Sequence, residues 1–286
     1  MDRYTEQKLF GVLMRASVAV VIGALAIIVG VTLVRGGAVL ASDPTLAITP
    51  PGPTYLIDGG GGFLHAMVGS LFIVVPATVA STAVALSTAI YLQSDYSSER
   101  FAEWVNLFLN VLWGTPPIVY GVFVLTLLIF AGARASLVAG IVSIAIFQYP
   151  IITRYADEAL RSVSTELKET TYALGSTRFE TARITLRAAF PGIVAGVIMG
   201  FARGIGDAAT VLFTAGGATD MPTGPFEPAT TLPILIFEQA TSFNAEVRSH
   251  AYAAAFVLMV VVLVLILVSK LLAGRFARFV PGSDTQ

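Results

Sequence analysis

Five stretches of this chain, residues 16–34, 66–94, 104–133, 135–153 and 251–269, run for 19, 29, 30, 19 and 19 residues without one charged side chain. An α-helix rises 1.5 Å per residue, so each can cross the roughly 30 Å hydrocarbon core of a bilayer, where every backbone amide must be satisfied within its own segment. The fold class that follows is an all-α polytopic membrane protein. Only 12 % of the residues are charged, against about a quarter in a soluble domain. The chain has no cysteine, which excludes a disulfide scaffold and any cysteine-based metal or redox site. Asp2, Arg3, Glu6 and Lys8 precede the first run with no small-residue cleavage site, so that run reads as a retained anchor helix at about residues 12–34.

A sixth run, 188–218, is long enough only if Arg203 and Asp207 are tolerated inside it. The basic residues test the count. With six spans, Arg3, Lys8, Arg15, Arg100, Arg154, Arg161, Lys168, Arg178, Arg183, Arg187, Lys270, Arg275 and Arg278 share one face, and only Arg35, Arg134 and Arg248 lie on the other. The positive-inside rule then puts both termini and the loop 154–187 in the cytoplasm. Five spans would split the basic clusters between opposite faces.

The outer loops differ in texture. Residues 35–62 contain DPTLAITPPGPTYLIDGGGG, whose prolines and glycines resist regular structure, and read as an inert surface connector. In residues 219–250 the patch TTLPILIFEQA is too short to span and suggests a re-entrant or surface helix. Pro116 and Pro117 in GTPP should kink the third span near Trp113, because proline removes an intrahelical hydrogen bond. His65 and His250 have no partners at metal-ligand spacing, and Trp104 and Trp113 read as interfacial or packing residues.

The loop 154–187 places Leu160, Val163, Leu167, Thr171 and Leu174 at helical spacing, with Gly175 interrupting before a second amphipathic stretch. Two short helices joined by a turn fit either a solvated connector or an element that docks in a partner's groove. Glu169, Thr170, Thr171, Gly175, Ile184 and Leu186 resemble the EAA loop of ABC importer permeases. GGFLHAMVGSLFIVVPATVASTAVALSTAIYL, GTPPIVYGVFVL, ITLRAAFPGIVAGVIMGFARGIGDAATVLFTA and TTLPILIFEQA together resemble the phosphate permease family PstA over roughly residues 61–272. The resemblance implies a type I ABC importer permease fold of six helices, with residues 1–62 as anchor and outer loop, 63–273 as transmembrane domain and 274–286 as cytoplasmic tail. It implies that the EAA-like residues couple to a separate ATPase, which would bind ATP and magnesium. The other implied partners are a second, PstC-like permease, two copies of a PstB-like ATP-binding subunit and a PstS-like extracytoplasmic phosphate-binding protein, in a prokaryotic cell membrane. The chain has no G-x-x-x-x-G-K-[ST] loop, so it is not itself the ATPase and no cofactor is expected in it.

Arg203, Asp207 and Thr210 are then the candidate substrate path. At helical spacing they would share a face. Charges in a span cost roughly 2.5–3.5 kcal/mol on insertion scales and usually face a bundle interior or an aqueous cavity. Arginine offers forked donors to a tetrahedral oxyanion, and a carboxylate can accept from phosphate that still holds a proton while repelling sulfate. Glycines 204 and 206 leave room for a ligand or a close helix. Where the family usually has glutamate, this chain has Asp207, one methylene shorter. Mutual neutralisation for helix packing is the other reading of the pair. A permease for molybdate, tungstate or sulfate, an ATP-independent channel and an intramembrane enzyme remain open alternatives.

Overall fold

A computed structural model describes residues 3–93 and 96–277. Asp2, Arg278 and the rest of the expected tail beyond residue 277 lie outside the described residues, as does the end of the expected second span at Ser94. The regular secondary structure of the described residues is helical, apart from two isolated β-bridges. In order come α1 (Arg3–Val31), a π-helical turn at Thr32–Gly36, α2 (Gly37–Ser42), a one-turn α3 (Tyr55–Asp58), α4 (Leu64–Tyr91), α5 (Glu99–Gly114), α6 (Pro117–Phe130) and α7 (Leu137–Arg161). They are followed by α8 (Thr165–Ala173), α9 (Arg178–Ile205), α10 (Leu232–Gln239) and α11 (Ala245–Ala277). Five helices are long and apolar enough to cross a membrane, and α5 with α6 make a sixth span if the pair is taken together.

The bundle is built in the order α4, α7, α9, α11, each packed on the next. The α7–α9 seam is close-packed, and its cause is a sequence stripe. Gly192, Gly196, Gly200 and Gly204 fall one helical turn apart. A Cβ on each would lie 2.8 Å from Ala159, 2.3 Å from Tyr155, 2.7 Å from Ile152 and 2.2 Å from Gln148. Small residues at this spacing let two backbones approach where lipid offers no hydrophobic drive to association. Fully buried Gln148 donates to the Gly200 carbonyl at 3.1 Å and accepts from Thr78 Oγ1 at 3.0 Å, tying α9 and α4 to α7 through a satisfied amide. By contrast α1 stands off the bundle. Only the turn Thr32–Gly36 and α2 pack on α11, and the apolar side chains of α1 are left uncovered by this chain.

Three expectations change. The helix expected over 188–218 ends at Ile205; residues 208–215 stay largely buried as irregular backbone. Non-helical backbone is tolerated at membrane depth only when the protein satisfies it. Here Ser136 N donates to Thr214 O at 2.8 Å, and the Ser143 and Thr214 hydroxyls share a 2.9 Å bond. The GTPP stretch breaks its span outright, with 101° between α5 and α6. The first outer loop is not an inert connector. Phe63 and Tyr55 are buried with Leu232 and Leu235 of α10, so this loop and the expected short helix α10 cover one end of the bundle together. Tyr55 lies between His65 at 5.3 Å, edge-on, and His250 at 5.7 Å, stacked, and burial pushes its phenol up to about 12, so it stays neutral there.

Candidate functional site

Arg203 occupies the last turn of α9, and Asp207 lies in the turn beyond it. Because the helix stops between them, the four-residue spacing does not bring them together. Asp207 Oδ2 instead accepts from Thr210 N at 2.8 Å, and the carboxylate braces its own turn as an Asx cap. The only ion pair among the described residues is Arg161–Asp157, so Arg203 has no carboxylate partner there. Its guanidinium sits over the ring of Trp113, Cζ 5.5 Å from the centroid, and the side chain is exposed on a face this chain does not cover.

Thr210, the third expected path residue, is fully buried and lines no path in this conformation. Its hydroxyl donates to the Pro117 carbonyl at 3.3 Å. Pro116 and Pro117 therefore meet the charged turn: Thr210 reaches the Pro117 carbonyl in the first turn of α6, just past the break. Gly206 points into open space, its nearest neighbour the Ala202 carbonyl at 3.5 Å, whereas Gly204 is filled by Gln148 of α7. The site is thus an unpaired arginine at a helix end beside the elbow of a broken span. Trp113, read from sequence as a packing residue, belongs to it.

The elbow has a second attachment lower on α5. Arg154 of α7 donates to Asn106 Oδ1 at 2.9 Å, to the Asn106 carbonyl at 3.2 Å and to Asn110 Oδ1 at 2.6 Å. Asn106 and Asn110 fall one turn apart, a signal visible in sequence once α5 is known to be a helix. A cavity of about 570 Å³ opens in the angle between the arms, lined by apolar side chains of α4 to α7 such as Phe108, Phe123 and Ile146, with the Ser81 hydroxyl unpaired at its edge.

At the basic end, α8, a turn and α9 form the expected hairpin. Gly175 has φ +84°, which ends α8 in the left-handed region open to glycine. Thr177 and Glu180 then start α9 as a reciprocal capping box. Glu169 and Thr170 are exposed, while Thr171 is buried, its hydroxyl 3.4 Å from that of Thr181. Thr171 thus links α8 to α9 within the hairpin. Ile184 is half-buried, and Leu186 packs on the cluster of Ala89, Ala156, Leu160 and Ala189. Leu174, at helical spacing from Thr171 in the sequence, is 81 % exposed at the hairpin tip beside Phe179 at 78 %. The reason is that α8 ends at Ala173, so the helical face does not extend to Leu174.

A polytopic helical bundle with an amphipathic hairpin at its basic end defines a class, and sequence comparison agrees. The chain belongs to the family of binding-protein-dependent transport system inner membrane components, whose profile matches residues 81–280. Within that class its relatives are phosphate transport system permeases, and their identity and coverage make it a member of the PstA family. It is 33 % identical over 213 residues to PstA of Yersinia pestis, covering 74 % of this chain and 70 % of that one. It is 30 % identical over 203 residues to the probable PstA of Methanocaldococcus jannaschii, covering 70 % and 72 %. In fold it is similar to a chain of the inward-facing MetNI methionine ABC transporter, with a TM-score of 0.58 at 19 % identity over 73 % of this chain and 93 % of that one.

Proposed function

We propose that this chain is the membrane permease subunit of an ATP-driven phosphate importer in a prokaryotic cell membrane. Arg203 carries the reading. A guanidinium without a carboxylate partner, at the end of a truncated membrane helix and on a face this chain leaves uncovered, is costly unless an anion or an aqueous path meets it. Its planar fork suits a tetrahedral oxyanion. Asp207 spends Oδ2 on Thr210 N and has no bond at Oδ1 among the described residues, which leaves one oxygen to accept from phosphate that still bears a proton. Thr210 acts as a brace for the elbow and not as a ligand.

A second, PstC-like permease would supply the other wall of the path. Two copies of a PstB-like ATP-binding subunit would hold ATP and magnesium, and a PstS-like protein would deliver phosphate from outside, with no cofactor in this chain. Glu169, Thr170 and the hairpin tip at Leu174 and Phe179 would meet the ATPase, with Gly175 as the turn and Ile184 and Leu186 passing the motion to α9. Residues 63–273 would form the transmembrane domain.

The test is radiolabelled phosphate uptake by the assembled complex carrying Arg203→Gln. A large loss with the complex still assembled is expected, and unchanged uptake would remove Arg203 from the path. Competition by sulfate and molybdate decides the oxyanion: phosphate uptake that either one inhibits as well as unlabelled phosphate does would make this a permease of broader or different specificity.

A further inference from the structure

The elbow between α5 and α6 has two arms, and one short segment at the end of α9 touches both. On the α6 arm, the Pro117 carbonyl accepts from Thr210 Oγ1 at 3.3 Å. Gly121, one turn on, approaches the Thr210 carbonyl so closely that a Cβ would lie 2.6 Å from it. Thr210 is itself fully buried and its turn is capped by Asp207. This attachment is hydrogen-bonded and packed against backbone, and it holds the α6 arm in one place.

The α5 arm is held differently. Its last turn carries Trp113, 47 % exposed, and the contact is the Arg203 guanidinium lying over the indole ring. Gly114, at the corner, has no atom near where a Cβ would be, and Pro116 contributes no amide to the corner. Across the corner Tyr120 of α6 also donates to the Leu112 carbonyl of α5 at 2.5 Å, so the last turn of α5 is held by one hydrogen bond and the cation–π contact.

That contact has a chemical consequence. An aromatic ring offers a guanidinium no lone-pair acceptor, so the N–H groups of the guanidinium stay available to donate to an anion. A ring also attracts the cation without neutralising it, which a carboxylate in the same place would do.

From this we infer that Trp113 is a positioning residue for Arg203, and that its place on the α5 arm, across the corner from the Thr210 attachment, makes the grip on the anion depend on the angle of the elbow. With the arm as seen here the guanidinium is oriented and its fork is available. When the arm swings about Gly114 the Tyr120–Leu112 bond opens and the ring leaves, the long arginine side chain regains its rotamer freedom, and the anion is held less well. A transport site needs such a change, because it must bind on one side and release on the other. The inference rests on the reading that the anion passes Arg203.

The experiment uses the assembled complex in nanodiscs, without the binding protein, and reads radiolabelled phosphate binding together with the ¹⁹F resonance of 5-fluorotryptophan at position 113. That resonance is assigned by its loss in Trp113→Phe. Trp113→Leu should weaken phosphate binding about three- to fivefold, while Trp113→Phe, which keeps a ring face, stays within about twofold. Phosphate should shift the resonance in the wild type, and trapping nucleotide on the ATPase should shift it again. Binding unchanged in Trp113→Leu, or a resonance indifferent to bound phosphate, overturns the positioning role while leaving the path through Arg203 intact. A resonance that phosphate moves but nucleotide does not overturns the dependence on the elbow. Normal phosphate binding in Arg203→Gln would instead overturn the path itself.

Discussion

Two Asp–Arg combinations four residues apart lie at the C-terminal ends of long helices of this chain, and their fates are opposite. Asp157 and Arg161 sit within α7, pair at 2.9 Å and gain Gln93, whose Nε2 donates to Asp157 Oδ1 at 3.0 Å. Arg203 and Asp207 straddle the end of α9 and engage separate partners, a ring and a backbone amide. In the first, the acid precedes the base, the order that suits the helix dipole at a C-terminus. In the second the order is reversed and the helix stops in between. Four-residue spacing therefore brings two side chains together only where the helix continues. Where it ends, the same two residue types become an available cation and a turn cap.

The comparison breaks most sharply at the two arginines. Arg203→Gln should lower phosphate uptake by about tenfold to hundredfold, the worth of a charge-assisted hydrogen bond to the passing anion, while Arg161→Gln should leave uptake within about twofold. Equal losses at both positions would make Arg203 another structural charge.

The next effect tests what fixes Arg203 in place. Gly204→Ala puts a Cβ 2.2 Å from Gln148 Nε2 and should cost about 1–3 kcal/mol, seen as a lower melting temperature of the purified complex. Gly206→Ala, with no neighbour closer than 3.5 Å, should melt with the wild type. If both variants melt alike, the seam does not position the end of α9.

Asp207→Asn sharpens the contrast between the two acids. Its side-chain oxygen can still cap Thr210, but an amide N–H₂ replaces the free acceptor and removes the charge. Sulfate should then compete for phosphate uptake about fivefold better, roughly the loss of one hydrogen bond. Unaltered competition would reduce Asp207 to a cap. The smallest change belongs to the intact pair. Arg161 is more than half exposed, so Arg161→Gln should cost no more than about 0.2–1 kcal/mol, a barely resolved shift in melting.

Much of the candidate site was legible from residue types but not from their presumed geometry. Arg203 and Asp207 stood out because charges are rare in apolar runs, and their placement together with the basic-residue count required the sixth span. Their separation was not legible, because apolar character continues to residue 218 and hydropathy reports burial whether or not the backbone is helical. Trp113 gave no distinctive signal until the break at Pro116 and Pro117 turned its helix end toward α9. The stripe Gly192, Gly196, Gly200 and Gly204 was present in the sequence throughout. Only Gly204 drew notice, since glycines at one-turn spacing acquire meaning when a neighbouring helix is known to lie against them. Leu174 continues the helical spacing of Leu167 and Thr171 in the sequence, but α8 ends at Ala173 and leaves it at the exposed tip of the hairpin.

By itself the sequence determined the solvent, and with it the crossings and the sidedness to expect, because these depend on the length of apolar runs and the placement of basic residues, properties that add up along the chain. Tertiary structure alone decided where α9 stops, which arm of the elbow each residue holds and which aspartate meets its arginine. Those outcomes turn on hydrogen bonds between segments distant in sequence, such as Thr210 to Pro117 and Ser136 to Thr214, which make an irregular turn as well satisfied as one more turn of helix.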